Sequence, residues 1–168
     1  MTPRLFDAAL LDALGVAACA SPRRRAHLLL HGASSDPCQR MLVAIEPASY
    51  VPPHRHLDPL KAEVLVVLRG VLGVVWFEDG GAVAGSAVLR AGHAAGIEIP
   101  AGLFHAVIAL APGTAFLEAK AGPWLPLQQA ERAAFAPREG EAGASVYFEG
   151  LQARFADRSR PLMRRPAC

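Results

Sequence analysis

Near the N-terminus, hydrophobic positions recur with the period of an amphipathic helix. Apolar side chains repeat every three or four residues over residues 5–17, as one buried stripe of a helix requires. Thr2 can cap this helix, Pro3 suits its first turn, and Ser21-Pro22 ends it. The same period returns between Val146 and Phe155, which predicts a second, short helix from about 142 to 156.

Between these helices the apolar residues form short runs of strand length, separated by Gly, Pro, Asp and Ser. The predicted strands cover residues 25–31, 40–46, 50–56, 63–69, 71–77, 82–90, 97–99, 104–110 and 114–120. Many short strands without intervening helices are typical of a sandwich or barrel. The pattern therefore predicts an all-β fold with an N-terminal helix and a short C-terminal helix.

Length and composition fit one globular domain. The chain has 168 residues, of which 52% are hydrophobic and 19% charged, and such a chain can bury one core. We predict that residues 1–22 form a helix packed on the barrel and that residues 23–126 form the barrel itself. Residues 127–168 form an extension with the short helix and a basic tail that frays.

Charge and cysteine content exclude several function classes. The net charge is +2, and the basic runs at residues 23–25 and 158–165 lack interleaved aromatic residues, so we expect no nucleic-acid partner. The absence of a signal-peptide layout or a long apolar run predicts a cytoplasmic protein with no membrane partner. Three widely spaced cysteines indicate free thiols in a reducing compartment.

Four residues form a candidate metal site. His54 and His56 stand at alternate positions of a predicted strand, so their side chains project to one face. Glu63 opens the next strand, which can pair beside them, and His105 follows a Pro-x-Gly turn. Three imidazoles and one carboxylate suit a single divalent ion such as Zn, Ni, Fe or Mn.

These residues resemble the two motifs of the cupin superfamily, G-x5-H-x-H-x3-4-E-x6-G and G-x5-P-x-G-x2-H-x3-N. The matching positions are His54, His56, Glu63, Gly70, Pro100, Gly102 and His105. The chain departs from the motifs at Ala109, which replaces the final Asn, and in the six-residue spacer before Glu63. The resemblance implies a cupin barrel (a double-stranded β-helix, or jelly roll) and a metal held by the four residues above.

A narrower resemblance, to the WbuC family of cupin-fold metalloproteins, extends over most of the chain. It is carried by residues 21–27, 36–41, 50–56, 98–102 and 118–123. It implies one metal site and an occurrence beside O-antigen or capsule biosynthesis genes, hence a sugar or sugar nucleotide as substrate. The chain differs where it has Leu29 in place of an Asn and Phe104-His105-Ala106 in place of Trp-His-Thr.

Other polar and aromatic residues are candidates for the same pocket. Glu98, His31 and Lys61 are the available catalytic acids or bases, with a solvated surface role as the alternative for Lys61 and a packed or surface role for His31. Tyr50 and Phe104 are candidate pocket walls, with core packing as the alternative. No further cofactor is expected.

The sequence supports two functions of different classes. The first is a metalloenzyme acting on a small polar metabolite, with isomerisation, hydrolysis and oxygenation all open, the last as an iron-dependent dioxygenase. The second is a non-catalytic module that binds or senses a small ligand.

The strand at residues 64–68 is apolar on both faces, and so are parts of residues 71–77. This pattern also predicts a homodimer that buries the outer apolar faces. The alternative is that the C-terminal helix covers the same sheet.

Overall fold

The protein consists of two antiparallel sheets with one helix packed on the outside of each. The computed structural model describes residues 2–156. The elements are α1 Ala8–Ala20, β1 Arg25–Leu29, β2 Cys38–Ile45, β3 Glu63–Arg69, β4 Leu72–Phe77, β5 Val83–Leu89, β6 Gly96–Ile99, β7 Phe104–Ala109, β8 Thr114–Ala121, a 3-10 turn Gln129–Glu131, and α2 Ala144–Ala153.

The strand order is that of a jelly roll. One sheet has the order β1-β2-β8-β3-β6 and the other has the order β5-β4-β7, so from β3 to β8 the described chain passes four times from one sheet to the other. The predicted all-β jelly-roll barrel, with an N-terminal and a short C-terminal helix, is confirmed.

Side chains of alternating strand positions fill the space between the sheets. Val43, Leu65, Val74 and Phe116 are buried there together with other members of one apolar cluster. Each strand turns its intervening residues to the opposite face. Both sheets therefore need a cover on the outside as well.

Helix α1 covers the outer face of the five-stranded sheet. Leu11, Leu14 and Ala18 are its buried residues, and they pack on Leu42 and Ala44 of β2. Asp7 caps the helix by accepting a hydrogen bond from the Leu10 N–H at 2.9 Å. The prediction that Thr2 caps it was wrong, because a carboxylate at the position before the first turn supplies the acceptor.

Helix α2 covers the outer face of the three-stranded sheet. Phe148 and Leu151 of the helix, with Phe155 just after it, pack on Val75 of β4 and Ile108 of β7. A Cβ atom at position 73 would lie 2.9 Å from the Phe155 ring, so a glycine there admits this close packing. The alternative explanation for the second apolar face thus applies to β4.

Strand β3 is covered less completely on its outer face. Leu68 packs against the α1 cluster, whereas Val64 is 42% exposed. The homodimer stays a prediction, and light scattering tests it: a particle of twice the 17.7 kDa chain mass supports it.

The second predicted helix and the predicted strand at residues 50–56 differ from the structure. Helix α2 begins at Ala144, and Val146, assigned to its apolar stripe, is 71% exposed. No strand covers residues 50–56; within the described chain this segment makes only isolated bridges at His54. The prolines at 52 and 53 explain this, because they carry no N–H for a continuous ladder.

The remaining expectations concern the cysteines, the tail and the membrane. Cys19 and Cys38 are free and exposed, as expected. The basic tail and Cys168 lie outside the described residues. Neither helix of residues 2–156 combines the length and the apolar character needed to cross a bilayer.

Candidate metal centre

One row of inward-facing residues crosses the three-stranded sheet. Trp76 of β4 pairs with His105 of β7, and His105 pairs with His54, which continues the sheet beyond β7. His54 and His105 exchange two backbone hydrogen bonds, of 3.0 and 2.9 Å. Directly paired residues point to the same face of a sheet. The two histidines are therefore neighbours, with ring centroids 4.7 Å apart.

A second row crosses the five-stranded sheet and faces the first. Glu63 of β3 pairs with Lys120 of β8, which pairs with Gln39 of β2. The prediction that the strand of Glu63 pairs beside the histidines was wrong, since β3 pairs with β6 and β8 in the opposite sheet. Glu63 instead reaches the histidines across the barrel interior.

The Glu63 carboxylate is the point where the two rows meet. Its Oε1 lies 2.8 Å from His56 Nε2, and its Oε2 lies 2.9 Å from His105 Nε2. Its side chain is 4% exposed. Burial by itself would raise the pKa of this carboxyl, but hydrogen bonds with His105 and His56 and the charge of Lys120 hold the pKa well below its usual range.

Backbone oxygens orient two of the imidazoles. His54 Nδ1 lies 3.1 Å from the Pro52 oxygen, and His105 Nδ1 lies 3.0 Å from the Leu103 oxygen. A neutral ring that donates from Nδ1 carries its lone pair on Nε2. Burial, reinforced by the neighbouring His105, lowers the pKa of His54 to about 3, and a neutral imidazole is the form that binds metals.

The donor set fits a divalent metal ion. His54, His56 and Glu63 each offer a ligand atom, and these atoms all lie within 4.8 Å of one another. With its Nδ1 donating, a neutral His105 turns an Nε2 lone pair toward a Glu63 oxygen at 2.9 Å. Two acceptors at that distance need a cation or a proton between them. Donor atoms bound to one metal at about 2.0–2.2 Å are themselves about 3 Å apart at an angle near 90° and about 3.4 Å apart at the tetrahedral angle.

Lys120 and Glu118 belong to the same site. Lys120 Nζ donates to Glu63 Oε1 at 2.5 Å and to Glu118 Oε1 at 2.8 Å, and it lies 3.2 Å from His56 Nε2. Burial lowers the pKa of Lys120, but the charges and hydrogen bonds of Glu118 and Glu63 have the larger opposite effect. Together these effects raise the pKa to about 12. Burial raises the pKa of Glu118.

Sequence reasoning missed Lys120 and Glu118 as site residues. The available signal was strand alternation, because Glu118 and Lys120 share the parity of the buried Phe116 on β8. Charged residues on the inner face of a barrel strand indicate a functional interior.

Within residues 2–156, the three catalytic candidates make no hydrogen bond or ion pair with Glu63, although Glu98 lines the smaller cavity together with His105. Glu98 is exposed and pairs with the outward Val64. The ring N–H groups of His54 and His105 donate to the backbone oxygens of residues 52 and 103 and not to Glu98. Lys61 is 9% exposed and donates to the Pro123 oxygen at 2.8 Å, so it joins two loops and is not a solvated side chain. His31 Nδ1 contacts the backbone of Arg40 at the edge of the sheet.

The two candidate pocket walls lie on the outer side of the three-stranded sheet. Tyr50 donates to the Pro137 oxygen at 2.7 Å and packs on Tyr147 and Phe148 of α2. Phe104 precedes the inward His105 and therefore faces the other way, into the same outer cluster. Core packing, the alternative stated for both residues, is what the structure shows.

Two cavities adjoin the candidate site. The larger has a volume of about 800 Å³ and includes His54 in its lining. The smaller has a volume of about 220 Å³ and is lined by His105 together with Trp76, Ile97 and Leu103, among others. The two histidines thus border cavities through which a small molecule can approach.

Comparison with solved structures shows similarity in fold. A conserved protein of unknown function from Streptococcus pyogenes is 12% identical over 74% of this chain and 92% of its own, with a TM-score of 0.51. KdgF from a Halomonas species is 15% identical over 60% of this chain and 82% of its own, with a TM-score of 0.48. An RmlC-like cupin protein from Desulfovibrio desulfuricans is 21% identical over 72% of this chain and 95% of its own, with a TM-score of 0.47.

Comparison with curated proteins found no match. A protein family described as "Domain of unknown function (DUF6016)" matches residues 6–89, which is half of the 168 residues. The matched region includes both candidate histidines of the first motif and Glu63. The chain belongs to this family.

Proposed function

We propose that the protein binds one divalent metal ion through His54, His56, Glu63 and His105, and that it is a metalloenzyme acting on a small polar metabolite. The single observation that supports the metal most strongly is the approach of His105 Nε2 to Glu63 Oε2 at 2.9 Å while its Nδ1 donates to the backbone. With a neutral His105, a bound ion would supply the positive charge that these two acceptors need between them; without the ion, a proton on Nε2 makes the same contact a hydrogen bond to Glu63. The ion would supply Lewis-acid polarisation of a carbonyl, hydroxyl or water.

The groups around the ligands favour an enzyme over a purely binding module. A catalytic site needs a proton donor or acceptor besides the metal ligands. Lys120 and Glu118 supply one of each, since Lys120 Nζ donates a proton to Glu118 Oε1 across a nitrogen–oxygen distance of 2.8 Å. A non-catalytic site that only holds a ligand has no need of a buried charge pair, which is costly to desolvate.

The substrate and the metal are the finer parts of the proposal. The resemblance to the WbuC family supports a sugar or sugar nucleotide of surface-polysaccharide synthesis as the substrate. Zn, Ni, Mn and Fe all accept imidazole and carboxylate ligands. Iron would favour the dioxygenase alternative, so identifying the metal also separates the reaction classes.

Elemental analysis of untagged protein purified without chelator tests the metal. We expect close to one divalent ion per chain, either as purified or after addition of Zn, Ni or Mn. A content far below one under all these conditions overturns the proposal.

A pair of histidine variants tests the assignment of the ligands. His105→Ala removes one ligand and is expected to lower metal content sharply. His93→Ala removes an exposed imidazole from the turn after β5 and serves as the matched control. Equal metal content in both variants would show that His105 is not a ligand.

The enzyme is tested with the metal-loaded protein and a panel of sugars and sugar nucleotides, followed by NMR for turnover. Glu118→Gln keeps the size of the side chain and removes its charge, so it should abolish turnover while the substrate still binds. Binding of a panel member with no turnover in the parent protein would instead support the binding or sensing module.

A further inference from the structure

The larger cavity is lined by an excess of basic side chains. Its charged lining residues are Arg23, Arg25, Arg132, Arg138, Glu139 and Glu141, in addition to His54. Arginines outnumber carboxylates by two in this lining. A volume of about 800 Å³ falls in the range that holds a small metabolite.

Most of these charges already have partners. Arg23 and Arg25 both bind Glu139, at 2.7 and 2.8 Å, and Arg138 lies 3.8 Å from Glu141. Arg132 differs from them. Within residues 2–156, its guanidinium donates a hydrogen bond to the Leu127 backbone oxygen at 3.1 Å and forms no ion pair with a carboxylate.

Arg132 also has a defined position relative to the metal ligands. It forms an antiparallel bridge with His54, flanked by hydrogen bonds from Ala133 N to Pro53 O and from Arg55 N to Glu131 O. This is the pattern of a non-hydrogen-bonded pair, in which Cα atoms are about 4.5 Å apart and both side chains share a face. Arg132 therefore extends the row of His105 and His54 toward the cavity.

We propose that this cavity binds a small anion whose phosphate or carboxylate group is held by Arg132, while the rest of the molecule reaches the metal centre at His54. A guanidinium matches the paired oxygens of either group with two parallel hydrogen bonds. The inference rests on the metal-binding function proposed above, because it assigns a charge to the molecule on which that centre acts. The bound anion would also balance the excess of arginines.

Titration of the full chain with inorganic phosphate, and separately with acetate, tests this inference. Binding is followed by the backbone amide NMR shifts of residues 131–134, in protein as purified and after chelator treatment. We expect Arg132→Gln to weaken binding of the preferred anion about tenfold or more, the effect of losing charge-assisted hydrogen bonds. Arg132→Lys should weaken anion binding to an intermediate degree, because lysine keeps the positive charge but lacks the two parallel N–H donors of the guanidinium.

The matched control is Arg90→Gln, which removes the same charge from the turn after β5, outside the lining of this cavity. Equal weakening by the two substitutions would overturn the assignment, because it would reflect net charge alone. No binding of either anion to the parent, or undiminished binding to Arg132→Gln, would also overturn it.

Metal content measured on the same samples separates this inference from the proposed function. Arg132 provides no metal ligand, so Arg132→Gln should retain the metal of the parent. A parent without metal that still binds phosphate through Arg132 would leave the anion site standing and remove the metal centre.

Discussion

Glu63 and Glu139 are both carboxylates held by several nitrogen donors, but they lie in opposite surroundings. Glu63 is 4% exposed inside the barrel and contacts two imidazoles and a lysine. Glu139 is 32% exposed at the cavity rim and binds two guanidinium groups, Arg23 and Arg25. Guanidinium groups are permanently charged, and those of Arg23 and Arg25 donate hydrogen bonds to both oxygens of the rim carboxylate. Imidazoles exchange protons and bind metals, so only the interior cluster is suited to chemistry.

The same substitution at the two carboxylates should separate these roles most clearly. Glu63→Gln removes the charged member of the proposed ligand set, and we expect metal affinity to fall roughly 100-fold or more, beyond the loss typical of supporting residues. Glu139→Gln should leave metal affinity unchanged. Competition with a chromogenic chelator measures both, and similar affinities in the two variants would contradict the distinction.

Lys120 is expected to act against the metal. Its ammonium group lies 2.5 Å from a Glu63 oxygen that would also be a ligand, and like charges repel strongly at this range inside a protein. Lys120→Met should therefore raise metal affinity at least about tenfold. Lys61→Met is the matched control, since that lysine is equally buried but bonds to a loop carbonyl. Weaker binding in Lys120→Met would show that the lysine supports the ligand geometry instead.

Loss of the Glu139 carboxylate should lower the stability of the fold and leave metal binding unchanged. Glu139→Gln is expected to lower the free energy of unfolding by about 1 kcal/mol, the upper range for a partly exposed ion pair. Chemical denaturation at neutral pH measures this change. A difference below about 0.2 kcal/mol would show that Arg23 and Arg25 hold the segment without the charge.

The stability effect of Glu139 should also depend on pH. Burial opposes ionisation, but hydrogen bonds and charges from Arg23 and Arg25 lower the pKa of this carboxyl below its ordinary 4.5. A lowered pKa stabilises the folded state above the unfolded-state value, and this stabilisation is lost as the pH falls through the folded-state value. The difference between parent and Glu139→Gln should be constant from about pH 6 to 8 and shrink below about pH 4.5. A difference that grows on acidification would contradict this.

The fold and the candidate ligand residues were accessible from sequence because they depend on local patterns. Alternating strands, turn residues and two short motifs predicted the barrel and its candidate ligands. Strand alternation also predicts the orientation of Phe104, because neighbouring residues of a strand face opposite sides and Phe104 must therefore face away from His105. Its assignment as a pocket wall neglected this constraint.

Strand alternation assigns Lys120 to the inner face of β8, but no local pattern could predict which residues lie beside Lys120 or Arg132. Lys120 lies opposite Glu63 only because β8 pairs with β3, and Arg132 lies beside His54 only through an isolated bridge. The sequence separations are 57 residues for the first pair and 78 for the second. Register between such distant segments is set by the packing of the whole barrel, which no short motif encodes.

The row that carries His105 continues to Trp76, whose indole lies over Gly85 where any larger residue would collide with it. The chain has two tryptophans, and the other, Trp124, is 52% exposed. An indole on the wall of the smaller cavity, beside His105, lies close enough for a paramagnetic ion such as nickel to quench its fluorescence. If the proposed centre holds such an ion, Trp76 would report its occupancy as a loss of fluorescence, against the background emission of Trp124.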